Sequence, residues 1–151
     1  MTVNAPFEPT TCSCRADRKS CQRQPGHLLP GQLKEIADAL GLAVEAARRY
    51  FWNSPGMVLA NSRTGKTFRV RTITPRFENG RCVFFKNERC EVHAVAPFGC
   101  RFFDVHMSAA EGQRRSMWGA HAILDRLAEY AEERDRLDEA THYRPLAGGR
   151  P

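Results

Sequence analysis

The sequence predicts a small single α+β domain, and three observations carry that expectation. Apolar residues recur at helical spacing near residues 33–40 and again through the last third of the chain. A middle stretch alternates with a period of two, and short turn-forming sequences punctuate the segments between. The predicted order is short helices after an N-terminal cysteine loop, a small antiparallel sheet or hairpins, and a long C-terminal helix.

The first eleven residues contain Pro6 and Pro9 with no periodicity, which predicts an extended arm. "CSCRADRKSC" at 12–21 is polar with no apolar repeat and reads as a loop whose cysteines are its only organising residues. In "PGQLKEIADALG", Leu33, Ile36, Ala37 and Leu40 lie on one helical face, with Pro30 near the start and Gly41 suited to the left-handed position past the end. A second helix is expected over "AVEAARRYFW", with Val44, Ala47 and Phe51 facing inward and "NSPG" at 53–56 stopping it. Tyr50, Phe51 and Trp52 read as core rather than as a platform for stacking bases.

"MVLANS" and "TFRVRTITP" flank "RTGK" and predict a hairpin. Asn79-Gly80 marks another turn, "CVFF" is a short strand, and "CEVHAV" is expected to pair with it across "KNER". "SAAE" at 108–111 is a capping box. From Ser108 to about Ala140 the pattern of Met117, Ala120, Leu124, Leu127, Ala131 and Leu137 predicts one helix roughly 50 Å long, at about 1.5 Å per residue. Gly112 and Gly119 are candidate bends, and the tail from 141 to 151 is expected to be disordered. The domain is thus placed at 12–140.

At 151 residues, 42% hydrophobic and 26% charged, the chain can bury a core. It has no run of apolar residues long enough to span a bilayer and no basic segment leading into an apolar one at its start, so the cytoplasm is the expected compartment and no membrane partner is expected. The formal charge of +6 is carried mostly by arginines scattered along the chain. Scattered arginines read as a solvated surface, and nucleic acid is disfavoured as a partner. A protein partner is left unspecified.

The six cysteines dominate the chemistry. In a reducing compartment, thiols at short spacing favour metal binding or redox work over structural disulfides. Cys12 and Cys14 have no apolar neighbours to pack with, and in an extended Cys-x-Cys pair both point to one side. The second group spaces as Cys82-x7-Cys90-x9-Cys100, and Pro97 turns the chain so that Cys100 can return. Cys82 alone also suits a buried strand position. Thiolates select zinc, iron–sulfur clusters or copper(I). The spacing fits neither a zinc finger nor a ferredoxin.

"GRCVFFKNERCEVHAVAPFGCRFF" resembles the C-terminal signature of the YkgJ-like proteins, a cysteine-cluster family described as zinc- or iron-chelating. Cys82, Cys90, Val92-His93, Pro97, Cys100 and Arg101 match it in order, and the N-terminal cysteines followed by "PGHLLPGQLKEIADALGL" match its first half, so the resemblance covers residues 12–107. The family often has a fuller N-terminal cluster and a basic residue where Ala96 stands. The resemblance implies a metal site of Cys12, Cys14, Cys21, Cys82, Cys90 and Cys100. An iron–sulfur cluster is slightly preferred to zinc, because six thiolates exceed one zinc's need. Electron transfer or metal-dependent modification is the implied use. The alternative is a zinc-stabilised interaction module that contacts protein or nucleic acid through its basic surface.

No reaction is assigned: there is no phosphate-binding glycine loop, no Gly-x-Ser-x-Gly, no paired-carboxylate signature and no methyl-donor loop. His93 reads as packing or support beside Cys90, and His106 as a candidate ligand or, with Asp104 on one strand face, an acid/base pair. His27 and His121 read as structural, and His142 falls in the tail.

Overall fold

The computed structural model describes residues 3–11, 14–23, 25–61 and 63–140. Cys12, His142 and the tail from 141 lie outside them, as do the side chains of 20–23, Cys21 among them. The fold is α+β, with short helices, three antiparallel hairpins and a C-terminal helical pair.

The segment expected as a polar loop is instead helix α1 (Arg15–Arg23). Its residues are mostly good helix formers, Asp17 sits in the first turn where a negative charge meets the helix dipole, and the helix packs against the strand that carries Cys82. The arm before it is docked rather than loose. Thr10 N–H donates to the Arg101 carbonyl at 2.8 Å, and Phe7 sits edge-on to Trp118 with the guanidinium groups of Arg114 and Arg115 over its ring.

Helix α2 (Gln32–Ala39) buries Leu33, Ile36 and Ala37, and Gly41 takes the left-handed conformation at φ 68°, as its sequence predicts. The second helix is shorter than expected. Helix α3 (Val44–Ala47) ends in a 3-10 turn over Arg48–Tyr50, and the chain is extended from Phe51. Strand β1 (Phe51–Ala60) runs through "NSPG" and pairs with β2 (Thr67–Pro75). A bulge between Ser54 and Met57 absorbs Pro55-Gly56; at Gly56 (φ 81°) any Cβ would fall 1.8 Å from the Val70 carbonyl oxygen, so only glycine fits. Phe51 and Trp52 are buried, and the Trp52 indole donates to Thr74 Oγ1 at 3.0 Å.

Two small hairpins follow. Strand β3 (Phe77–Glu78) pairs with β4 (Arg81–Cys82) across Asn79-Gly80, and β5 (Phe85–Lys86) pairs with β6 (Arg89–Cys90) across Asn87-Glu88. Cys82 therefore faces Phe77, while the expected hairpin across "KNER" forms with Phe85 opposite Cys90 and the Glu91 N–H donating to the Phe84 carbonyl at 2.8 Å. After Cys90 the chain makes a 3-10 turn over His93–Val95 and a short helix α4 (Phe98–Arg101) that holds Cys100.

Ser108 caps α5 (Ala109–Asp125), its Oγ accepting from the Glu111 amide at 3.1 Å. The Glu111 carboxylate is engaged by Arg114 and Arg115 on the next turn. The expected single long helix is broken at Arg126 (φ −127°, ψ 38°), and α6 (Leu127–Asp135) continues separately. The break is not at either glycine. Gly119 lies inside α5 where a Cβ would come 2.7 Å from the Phe98 ring, so it permits close packing there. Leu28, Ile36, Phe51, Ile73, Phe84, Phe98 and Ile123 form the centre of one core between the helices and the β1–β2 hairpin. No helix among the described residues is long and apolar enough to cross a membrane.

Candidate metal centre

Helix α1 begins directly after Cys14, and this places Asp17 one turn further on, at the i+3 position from that thiol. The turn after α4 brings residues 104–106 to the same place. Asp17 Oδ1 accepts the Val105 amide at 2.8 Å, and Asp104 Oδ1 accepts the His106 amide at 2.8 Å. Cys14 Sγ then lies 3.2 Å from Asp17 Oδ2 and 3.3 Å from His106 Nε2, from residues 92 apart in sequence. The third side of this triangle, His106 Nε2 to Asp17 Oδ2, is 4.0 Å. Among the described residues these are the donors drawn together tightly enough to hold a metal ion, all within 4.8 Å of one another. The hydrogen bond with Cys14, then its charge and those of Asp17 and Asp104, raises the His106 pKa.

Among the described residues, the predicted ligand Cys14 is in a three-donor group with Asp17 and His106. Asp17 was not anticipated. Its signal is Cys-x-x-Asp at a helix start, legible only once the segment is known to be helical. Asp104 and His106 do come together, but at a turn and through the His106 amide instead of the imidazole.

Cys82, Cys90 and Cys100 are carried by β4, β6 and α4. They are close enough for Cys82 and Cys90 to act electrostatically on Cys100, though not within the tight spacing of the first group. Burial pushes the Cys82 and Cys100 thiols up to about 12. Backbone amides oppose the rise at both: Phe84 and Phe85 at Cys82, and Gly26, whose N–H donates to Cys100 Sγ at 3.0 Å. Both are free thiols. Buried thiols of this kind ionise when a cation binds and offsets the charge. Cys21 lies on α1, the helix against β4, and Cys12 is outside the described residues.

His93 is exposed on its 3-10 turn and outside the three-donor group, and His121 is exposed on α5. His27 is half-buried as a residue, but its Nε2 is out of contact with solvent, has no hydrogen-bond partner and faces Gly119, while the ring meets Phe98 edge-on. Burial lowers its pKa to about 4. Many arginines have acidic partners: Arg48 with Glu133, Arg71 with Glu139, Arg76 with Asp138 and Arg126 with Glu129.

No family model, curated protein or solved structure matches this chain.

Proposed function

We propose that the chain is a metal-binding protein of the cysteine-cluster type, as its resemblance to the YkgJ-like proteins implies. The observation that carries this reading is the meeting of Cys14, Asp17 and His106 across 92 residues of sequence. A thiol, a carboxylate and an imidazole are the three donor types zinc takes.

Zinc is the metal this donor set fits best. The preference for iron rests on six thiolates exceeding one zinc's need, whereas among the described residues Cys14 meets an oxygen and a nitrogen donor. An iron–sulfur cluster is favoured by one observation elsewhere. Cys82, Cys90 and Cys100 form a sulfur-only group, and amides directed at Cys82 and Cys100 supply the N–H···S bonds that stabilise cluster thiolates.

Anaerobic purification followed by metal and acid-labile sulfide analysis tests the proposal. Stoichiometric zinc without sulfide is expected. Iron with matching sulfide would replace zinc by the cluster, and a folded protein that takes up neither metal would overturn the reading.

A further inference from the structure

We infer that the outward face of α1, with Arg15, Arg18 and Lys19, and the neighbouring Arg81 of β4 form a docking surface for an acidic protein segment. The inference goes beyond metal binding, because it assigns a kind of partner to the elements beside Cys14 and Cys82.

Arg15, Arg18 and Lys19 stand at i, i+3 and i+4 of α1, and all are exposed, so one helix face carries three cations. Asp17 falls on the opposite face, where it accepts the Val105 amide. The helix packs against β4, which adds the exposed Arg81. Like charges at this spacing repel, and cations in the first turns oppose the helix dipole. The arrangement works against the helix that bears it.

Other helices of the chain match their cations with acids at the same spacing. Lys34 pairs with Asp38 on α2, Arg114 and Arg115 with Glu111 on α5, and Arg126 and Arg136 with Glu129 and Glu132 around α6. All 17 Asp and Glu residues of the chain lie among the described residues. None is within ion-pair distance of Arg15, Arg18, Lys19 or Arg81, not even Glu78, which stands opposite Arg81 on β3. Carboxylates of a partner can therefore engage this face without breaking an existing pair.

Cations one helical turn apart suit carboxylates at i, i+3 and i+4 of an acidic helix. Val105, 48% exposed and tied by its amide to Asp17, supplies an apolar point beside them, as protein interfaces combine apolar and charged contacts. Nucleic acid fits less well. Among the described residues no Phe, Tyr or Trp is exposed for stacking on bases. Duplex binding draws on phosphate contacts on the order of six to ten, and these four cations fall short of that.

The test titrates the full chain, under reductant, with a fluorescent helical peptide bearing Glu at i, i+3 and i+4, and separately with a duplex oligonucleotide of equal charge. The wild type should bind the peptide, more weakly as salt rises. R18E/K19E sets like charges against the peptide and should weaken binding at least about tenfold. Both residues are exposed, and acidic side chains early in a helix are favourable, so this variant should keep the wild-type circular dichroism and metal content. R63E/K66E makes the same change in net charge at the exposed turn between β1 and β2, and should bind the peptide as the wild type does.

A wild type that binds neither probe, or only the oligonucleotide, overturns the acidic-protein surface. Equal weakening in the two variants overturns it as well, by reducing the effect to net charge. Loss of metal from R18E/K19E would assign these cations to the metal centre instead. Peptide binding by protein that takes up no metal supports the surface while overturning the metal reading, so the two fail separately.

Discussion

The amide of Gly26 donates to Sγ of Cys100 at 3.0 Å, and a Cβ built on Gly26 would lie 2.1 Å from the carbonyl carbon of Gly99. Two backbones from opposite ends of the domain therefore touch with no room for a side chain. Gly99 N–H donates to the His27 carbonyl at 3.0 Å, which closes the contact from the other side. Replacing either glycine by alanine should force these segments apart and destabilise the fold by about 1–3 kcal/mol or more. Urea melts of G26A and G99A check this; variants as stable as the wild type would show that the contact yields without cost.

Tyr130 joins three elements through one hydroxyl. Its Oη donates to the Leu28 carbonyl at 2.7 Å and accepts the Ile73 amide at 2.8 Å, in a fully enclosed position. Tyr130→Phe keeps the ring and strands both backbone groups. Each unsatisfied buried group costs about 1–3 kcal/mol, so a loss of about 2–4 kcal/mol is expected in chemical denaturation. A change under 0.5 kcal/mol, or roughly the scatter of a neutral surface substitution, would contradict the bond's role.

His27 makes stability depend on pH. Its folded pKa, about 4, lies below the ordinary 6.5, because burial disfavours the charged ring. Between these values the unfolded chain binds a proton that the folded chain refuses, so stability is full above about pH 6.5 and falls as the pH drops toward about 4. The loss should reach about 2 kcal/mol, less than the whole shift implies because part of the residue meets solvent. Denaturation of metal-free protein at pH 7.5, 5.5 and 4 should show a steeper decline for the wild type than for H27Q. Parallel profiles would remove His27 as the cause.

Metal and fold should be coupled. Residues 14 and 106 belong to opposite ends of the domain, and an ion shared by them stabilises only the folded chain. An ion present at about a thousand times its dissociation constant contributes about 4 kcal/mol, which for a chain of this size is a melting shift of about 10 °C. Thermal melts with and without a strong chelator, both under reductant, measure it. An unchanged melt would separate folding from metal binding.

The legible parts of the fold were those with strong local chemistry. The face of α2, the turn at Asn79-Gly80 and the Ser108 cap follow from spacing or from one residue's preference. The second small hairpin, expected across "KNER", turns at Asn87 and Glu88, which both adopt positive φ, 53° and 64°, without a glycine. Strand β1 was hidden by its "NSPG", which stops most elements and here becomes a bulge. Helix α1 has no apolar face to read, since its position is set by an acidic side chain and a neighbouring strand.

By itself the sequence determined the α+β class, the main hairpin and the buried aromatics after α3. Tertiary structure alone decided which donors meet Cys14 among the described residues. Whether a thiol meets other sulfurs or an acid and an imidazole depends on which segments the core presses together. Spacing along the chain does not encode that when the partners are 92 residues apart. Asp17 and His106 gain their meaning only because α1 folds as a helix and the turn after α4 delivers residues 104–106 to its first turn.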